Sequence, residues 1–460
     1  MFQKFIGDKA FYKRFFSVAI PIIIQSGITN FVNLLDNVMV GQVGTLPMSG
    51  VSIVNGLLFV FNLCIFGASS GAGIFTAQFF GCRDQEGIRY TFRFKIIVCS
   101  ALAALGAAIF LLADRLLIGL YLTGEGNAAD AASVMGYGIR YLHIMIWGFI
   151  PFALANTYSS TLRETGQALV PMVAGICAVL VNLALNYILI FGHLGAPAMG
   201  IEGAAIATVI SRYAEFFIVS IWTHRHSRQN TFILGAYRSV YIPGKLMRDI
   251  TLKGMPLLVN EFLWASGMAI TNQCYSTCGL DVVPAMNISS TLFNLGSVVF
   301  ISMGNTVGIL VGQMLGANLP RNEILDSNRK LIAVSVVFGS CFGLLMAAFS
   351  GVFPRIYNTT DQIRDLATAL ICINALAMPV FSYTNAAYYT LRSGGQTMVL
   401  FLFDSCFVWC FCVPLAFVLS RFTPIGIIPL FAICQSTDLF KSILGSYMLR
   451  QGKWIQNLTA

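Results

Sequence analysis

Apolar runs long enough to cross a lipid bilayer follow one another along nearly the whole of the 460 residues, broken only by short connections. Nothing else in the chain limits its fold so sharply. Hydrocarbon contains no water to hydrogen-bond exposed amides, so a spanning segment satisfies its backbone internally, as an α-helix of about 20 apolar residues. There is room for about a dozen such helices. Composition agrees: 57% of the residues are hydrophobic and 10% are charged, against about 45–50% and about 25% in soluble globular chains. An ordinary water-soluble enzyme is excluded. The expected class is an all-α polytopic membrane protein of twelve transmembrane helices.

The net charge is +9, and where the cations fall matters more than their sum. Basic clusters occur at the N-terminus (Lys4, Lys9, Lys13 and Arg14), at Arg83–Lys95, His224–Arg248, Arg321–Lys330 and Arg450–Lys453. Counting helices places them all on one face, which the positive-inside rule makes cytoplasmic. Both termini are expected there, with the chain multi-pass in the inner or plasma membrane. The first apolar run, Phe15 to Leu35, is too long for a signal peptide and has no small-residue cleavage site, so it reads as a retained helix. Twelve cysteines are scattered. Cys274 and Cys278 share a helix face, but no histidine or second pair accompanies them, and buried free thiols are expected rather than a disulfide or a metal site. The basic stretches have no soluble domain to present them to nucleic acid, so no nucleic-acid partner is expected.

Set against itself, the sequence repeats. At an offset of 235, Pro21, Asn37, Gly44, Gly73, Ile74, Gln78 and Gly81 fall on Pro256, Asn272, Gly279, Gly308, Ile309, Gln313 and Gly316. At 229, Phe152, Asn156, Thr161, Leu162, Arg163, Gly166 and Gln167 fall on Phe381, Asn385, Thr390, Leu391, Arg392, Gly395 and Gln396. Seven identities in sixteen residues exceed what shared hydrophobicity supplies. At 226, Gly200-Ile201 falls on Gly426-Ile427, and Arg212/Glu215 falls on Asp438/Lys441 with the signs exchanged. Each half begins and ends on the same face, so the repeats run parallel about an axis along the membrane normal. The expected organisation is a six-helix lobe over residues 1–223, a cytoplasmic linker over 224–248, and a second six-helix lobe over 249–460.

No G-x-S-x-G, no glycine-rich phosphate loop and no H-E-x-x-H occurs. The chain is therefore not read as an enzyme and no cofactor is expected. Transport would draw on an ion gradient or on the substrate's own. Ionisable side chains inside spanning helices are costly, so each needs a partner or a purpose. Asp36 lies well down the first apolar run with no cation within a helical turn. In a dry bundle such a carboxylate takes up a proton or a cation, as a coupling site must; a place at the outer interface is the alternative. Asn182 and Asn186, at i and i+4, present amides on one face, either as oxygen ligands for a hard cation or as interhelical hydrogen bonds. Glu261, isolated among apolar residues, is a second candidate for protonation or for pairing with a cationic substrate. Asp404 has an equal claim to a buried structural hydrogen bond. The pairs Arg212/Glu215 and Asp438/Lys441 are read as structural, closing internally or across the halves.

Several segments together resemble the multidrug and toxic compound extrusion (MATE) family, within a larger group that includes polysaccharide and lipid-precursor flippases. They are Leu35-Asp36-Asn37-Val38-Met39-Val40-Gly41, Gly73-x4-Gln78-x2-Gly81, Thr161-Leu162-Arg163-x2-Gly166, Asn182-x3-Asn186-Tyr187-Ile188-Leu189, Gly203-Ala204-Ala205-Ile206-Ala207-Thr208, and Gly254-Met255-Pro256 with Glu261. They extend over nearly the whole chain. The resemblance implies two lobes forming a V-shaped cavity, and export of cationic or amphipathic organic compounds against entry of Na+ or H+. It also implies a cation site in the first lobe, where Asp36, Asn182 and Thr208 match and Asn186 stands where some branches carry a second Asp. Glu261 matches a second-lobe acid of the NorM-type branch, whose tenth-helix acid has no counterpart between Phe381 and Leu391. The expected partners are small organic substrates and the bilayer, with the chain a monomer and no metal beyond Na+ at Asp36. A flippase for lipid-linked or polysaccharide precursors shares the architecture. It would line its cavity with Arg and Lys for pyrophosphate, whereas the mid-helix positions here offer acids.

Overall fold

The computed structural model describes residues 5–122, 128–279, 281–357 and 359–459, so Lys4 lies outside the described residues. They form twelve long helices: α1 (Lys9–Gly41), α2 (Thr45–Gly81), α3 (Gln85–Leu112), α4 (Ala129–Glu164), α5 (Leu169–Phe191), α6 (Ile201–Arg225), α7 (Gly244–Ser276), α8 (Val282–Gly316), α9 (Arg321–Phe349), α10 (Asp361–Ser393), α11 (Thr397–Phe422) and α12 (Ile427–Gln451). Eleven are long and apolar enough to cross a membrane. The other, α7, is 33 residues long and opens on Lys245, Arg248, Asp249 and Lys253 before its apolar stretch. The chain is thus an all-α polytopic membrane protein, twelve helices in two six-helix lobes.

The repeat read from single residues extends to whole elements. Shifted by the first of the three offsets, both ends of α1 fall on both ends of α7, and the end of α2 falls on the end of α8. Shifted by the last, both ends of α6 fall on both ends of α12. Pro21 and Pro256 sit inside α1 and α7 at matching positions. A proline there removes one intrahelical hydrogen bond and crowds the preceding turn, a local weak point that both copies retain. Polar residues define several ends. Asp84 caps α3 by accepting from the backbone N–H groups of Glu86 and Gly87, both at 3.0 Å, and Thr360 caps α10 through Ile363 N–H at 3.4 Å.

By packing, one lobe comprises Ile24–Thr76 and Asp84–Thr251; the other runs from Leu252 to the C-terminus and takes in the chain before Ile24 and residues 77–83. The chain division at 224–248 and this packing division differ at three places: the segment 224–251, which packs with the first lobe, the start of α1 and the end of α2. The last has a steric basis. Gly81 lies against the carbonyl of Gln313, and Gly316 lies reciprocally against that of Gln78, so a methyl group at either would collide with backbone. The repeated Gln-x2-Gly motifs therefore cross each other. Their glutamines are buried and bonded: Gln78 Nε2 donates to Ser393 O at 2.9 Å and its Oε1 accepts from Leu458 N–H at 2.7 Å, while Gln313 Oε1 accepts from Arg14 at 3.0 Å.

The first lobe's core centres on Val54, Phe61, Ile65, Cys99, Leu142 and Phe149, where the Phe61 and Phe149 rings stack at 4.1 Å. The second lobe has two clusters, one around Tyr275, Leu370 and Phe431 with Cys274, the other around Leu292, Met346 and Met378. Two cations of the basic stretch Arg83–Lys95, Arg93 and Lys95, are buried inside the lobe. Lys95 is fully buried, 2.5 Å from Glu164 Oε2, and also donates to Ser160 Oγ and Thr161 Oγ1 at 3.2 and 3.3 Å. An unpaired ammonium could not be held there, and the acid on α4 is what permits the burial. Arg93 is buried too, donating to the carbonyls of Gly235, Ala236 and Tyr241 at 2.7, 2.7 and 3.0 Å. These bonds fasten the segment after α6 to the first lobe.

Candidate cation site

The polar centre of the first lobe is assembled by three helices. Helix α5 ends at Gly192, which takes left-handed backbone (φ +75°) and reverses the chain toward α6. The two helices then come unusually close, since a methyl group on Gly203 would stand 2.6 Å from Leu189 O. This approach puts Thr208 of α6 beside Asn182 of α5. Earlier on α5, the small Gly175 lets Gln25 of α1 approach, so that a methyl group there would stand only 3.0 Å from the Gln25 Nε2. The later part of α1 then carries Asp36 onto the asparagine face.

Asn186 Nδ2 donates to Asp36 Oδ1 at 2.7 Å and to Asn182 Oδ1 at 3.1 Å. The amide of Asn182 lies 3.0 and 3.1 Å from the two carboxylate oxygens of Asp36 and 3.2 Å from Thr208 Oγ1. With its oxygen toward Asp36, Asn182 sets acceptor against acceptor; turned over, its NH2 donates to both carboxylate oxygens and its carbonyl accepts from Thr208, and the bond from Asn186 Nδ2 is given up. Both asparagines are buried, Asp36 is half-buried, and among the described residues Asn186 Oδ1 has no hydrogen-bond partner. Among the described residues no lysine or arginine forms an ion pair with Asp36. Asp36, Asn182, Asn186 and Thr208 thus form one contiguous oxygen- and amide-rich cluster. Chemically it suits a hard monovalent cation or a proton: a carboxylate for charge, amide and hydroxyl oxygens to complete a shell. Buried Tyr141 of α4 lies in the field of both Asp36 and Arg212, a neighbour that sequence spacing does not reveal.

The expected charge pairs divide. Arg212 and Glu215 do not close on each other as a contact ion pair. The Arg212 guanidinium instead lies over the Phe152 ring at 4.1 Å, and Glu215 sits in the combined field of Arg212 and Arg163. The arginine's long stem lets its planar head reach the aromatic face of α4. In the second lobe, Lys441 is 3.9 Å from Asp438 but 2.9 Å from Asp404, so its closer bond runs between helices. Asp404 lies on α11 within a π-turn, Leu402–Cys406, with another at Val408–Cys412. Its second oxygen accepts from Asn260 Nδ2 at 3.1 Å. Asn260 also accepts from Ser405 Oγ at 2.7 Å, joining α7 to α11. Glu261, next along α7, feels the opposing fields of Arg392 and Asp404. Sequence reasoning passes over Asn260 beside its charged neighbour. A signal is there nonetheless, because it is the repeat equivalent of Gln25, the residue that accepts from Arg163 at 3.3 Å.

A family model described as MatE matches residues 21–188 and again 256–418. The chain belongs to the MatE family. Its two matches begin at Pro21 and Pro256, the same pair of positions that the sequence repeat superposes. Among MatE relatives, a probable multidrug resistance protein NorM of Thermotoga maritima is 22% identical over 444 residues, spanning 96% of this chain and 93% of the relative. The multidrug resistance protein MdtK of Proteus mirabilis is 24% identical, over 91% of this chain and 89% of its own. The crystal structure of a mutant Vibrio cholerae MATE transporter, VcmN, superposes with a TM-score of 0.81 at 19% identity, covering 96% and 97% of the two chains. Another MATE crystal structure, also of a mutant, gives 0.85 at 18% identity, covering 98% and 97%. These likenesses bear out the resemblance read from the motifs, including its NorM-type character, and the fold.

Proposed function

We propose that the chain is a secondary active exporter of organic compounds, cationic or amphipathic in character, that exchanges them for Na+ or H+ at Asp36. The observation that carries this reading is a carboxylate inside a spanning lobe whose neighbours are amides and a hydroxyl rather than a fixed cation. A carboxylate so placed is costly while charged and unpartnered, so it binds its counter-ion with a free energy that can be linked to helix rearrangement. The two asparagines supply the means. Their NH2 groups donate to the carboxylate when it stands alone, and rotation of the amides turns Asn182 Oδ1 and the unpartnered Asn186 Oδ1 toward an entering cation. Thr208 Oγ1 offers a further oxygen. Entry of one positive charge down a membrane potential supplies about 2.3 kcal/mol per 100 mV. Neutralising Asp36 lets the part of α1 beyond Pro21 repack, which lowers the affinity for the exported compound. The names of the NorM and MdtK relatives support multidrug cargo, and the basic clusters support cytoplasmic termini in the cell membrane. The working unit is a monomer with no resident cofactor.

The test is efflux of a fluorescent organic cation from proteoliposomes with sodium and pH gradients imposed separately. One of the two gradients drives efflux in the wild type, and Asp36→Asn abolishes the gradient-driven part while leaving the protein folded. Efflux by Asp36→Asn at the wild-type rate would refute the proposal.

A further inference from the structure

The second lobe holds a carboxylate centre built on another plan. Asp404 of α11 and Asp438 of α12 flank Lys441, whose Nζ is 2.9 Å from Asp404 Oδ1 and 3.9 Å from Asp438 Oδ1. The lysine side chain is only 8% exposed, and its ammonium also stands 5.4 Å from the centre of the Phe407 ring. Asp404 lies within the first π-turn of α11, and Phe407 between the first and the second. Asn260 takes the outer oxygen of Asp404. Asp404 and Asp438 therefore have one ammonium of the same chain set against them. Asp36 has amides and a hydroxyl.

A lysine ammonium is a compact, singly charged cation on a flexible stem. Held between two carboxylates it does what a bound monovalent ion would do, and its tether gives it an effective concentration that a freely diffusing ion must overcome. A second cation entering the same space would also meet its positive charge at short range. We infer that Lys441 is a tethered cation that fills the Asp404/Asp438 centre, so that this centre exchanges no coupling ion and the cycle carries a single one, at Asp36. The inference rests on the reading of Asp36 as the coupling site. It assigns Lys441 a positioning role that fixes the ion stoichiometry.

Binding of radiolabelled sodium to the purified full-length protein at mildly alkaline pH, with proton uptake or release followed in parallel, counts the cations. The wild type is expected to hold one cation per chain and Asp36→Asn none. Lys441→Met, which leaves two carboxylates without their ammonium, is expected to gain one Na+ or one H+, and Asp404→Asn/Lys441→Met to return to the wild-type count. Folded Lys441→Met that binds no more than the wild type overturns the inference and leaves the Asp36 reading standing. Should Lys441→Met not fold, the native lysine still decides. Two cations in the wild type, one lost in Asp36→Asn and the other in Asp404→Asn, overturn the tethered-cation role alone, whereas binding unchanged in Asp36→Asn removes the coupling reading beneath it.

Discussion

At the scale of single residues, what separates the acids within the helices is the kind of partner each has. Asp36 meets amides, Glu164 and Asp404 meet lysines, and Glu215 and Glu261 lie in arginine fields. Amide donors can rotate away and return as acceptors, so they leave a carboxylate free to change its counter-ion; a lysine at 2.5 Å does not. Asn186→Ala is expected to remove one charge-assisted hydrogen bond and one oxygen ligand. The bond, worth about 1.5–3 kcal/mol, stabilises the cation-free carboxylate, whereas the oxygen stabilises the bound cation, so the two losses oppose and cation affinity should shift by less than about tenfold, read by isothermal titration with sodium or by the cation dependence of efflux. Lys95→Met alone strands Glu164 in the lobe and should cost about 3–5 kcal/mol of stability, whereas Lys95→Met/Glu164→Gln should recover much of it. Thermal melting of the single and double variants measures the difference. The residue types at Asp36, Asn182 and Asn186 are legible in the sequence because polar groups in apolar runs are conspicuous. The burial of Lys95 is not, because spacing along a chain cannot distinguish a solvated cation from one whose acid stands 69 residues later.

At the scale of elements, helix identity follows from the need of every backbone amide in lipid for a partner, and the matching bounds of α1 with α7 and of α6 with α12 repeat that solution. What positions side chains within this frame is finer. The α5–α6 approach depends on Gly203 having no side chain, and Gly203→Val would force the two helices apart. Overpacking of this kind costs about 1–3 kcal/mol, and the displaced Thr208 should weaken stabilisation by added cation. Melting temperature with and without sodium tests both effects. The π-turns of α11 each hold one residue more than an α-turn, which rotates the rest of the helix by about 100°. Deleting one residue from 402–406 should turn Asp404 off Lys441 and lower the melting temperature by as much as Asp404→Ala does. Apolar periodicity gives no warning of a π-turn, because Leu402-Phe403-Asp404-Ser405-Cys406 is apolar on every side but one.

At the scale of the molecule, two six-helix lobes arise from one duplicated plan, yet the duplicates have diverged where charge is handled. The segment after α6, a linker by chain position, is part of the first lobe's fabric, with Phe232 and Ala236 buried and Arg93 bonded to three of its carbonyls. Arg93→Ala should release it, and limited trypsin digestion should then cut at exposed Arg238 several times faster than in the wild type. Slow cutting at the wild-type rate would mean that Phe232 and Tyr237 suffice to hold it.

The sequence by itself determined the class, the number of spans, the internal repeat and the family. These depend on hydrophobic length and on residues recurring at fixed offsets, quantities that are properties of the chain. Tertiary structure alone decided which acid meets which base: Asp404 with Lys441 rather than Asp438 with Lys441, Glu164 with Lys95, and Arg212 with an aromatic ring. Electrostatic pairing depends on distance in space, and in a helical bundle the nearest opposite charge commonly stands on another helix, at a sequence separation that no local pattern encodes.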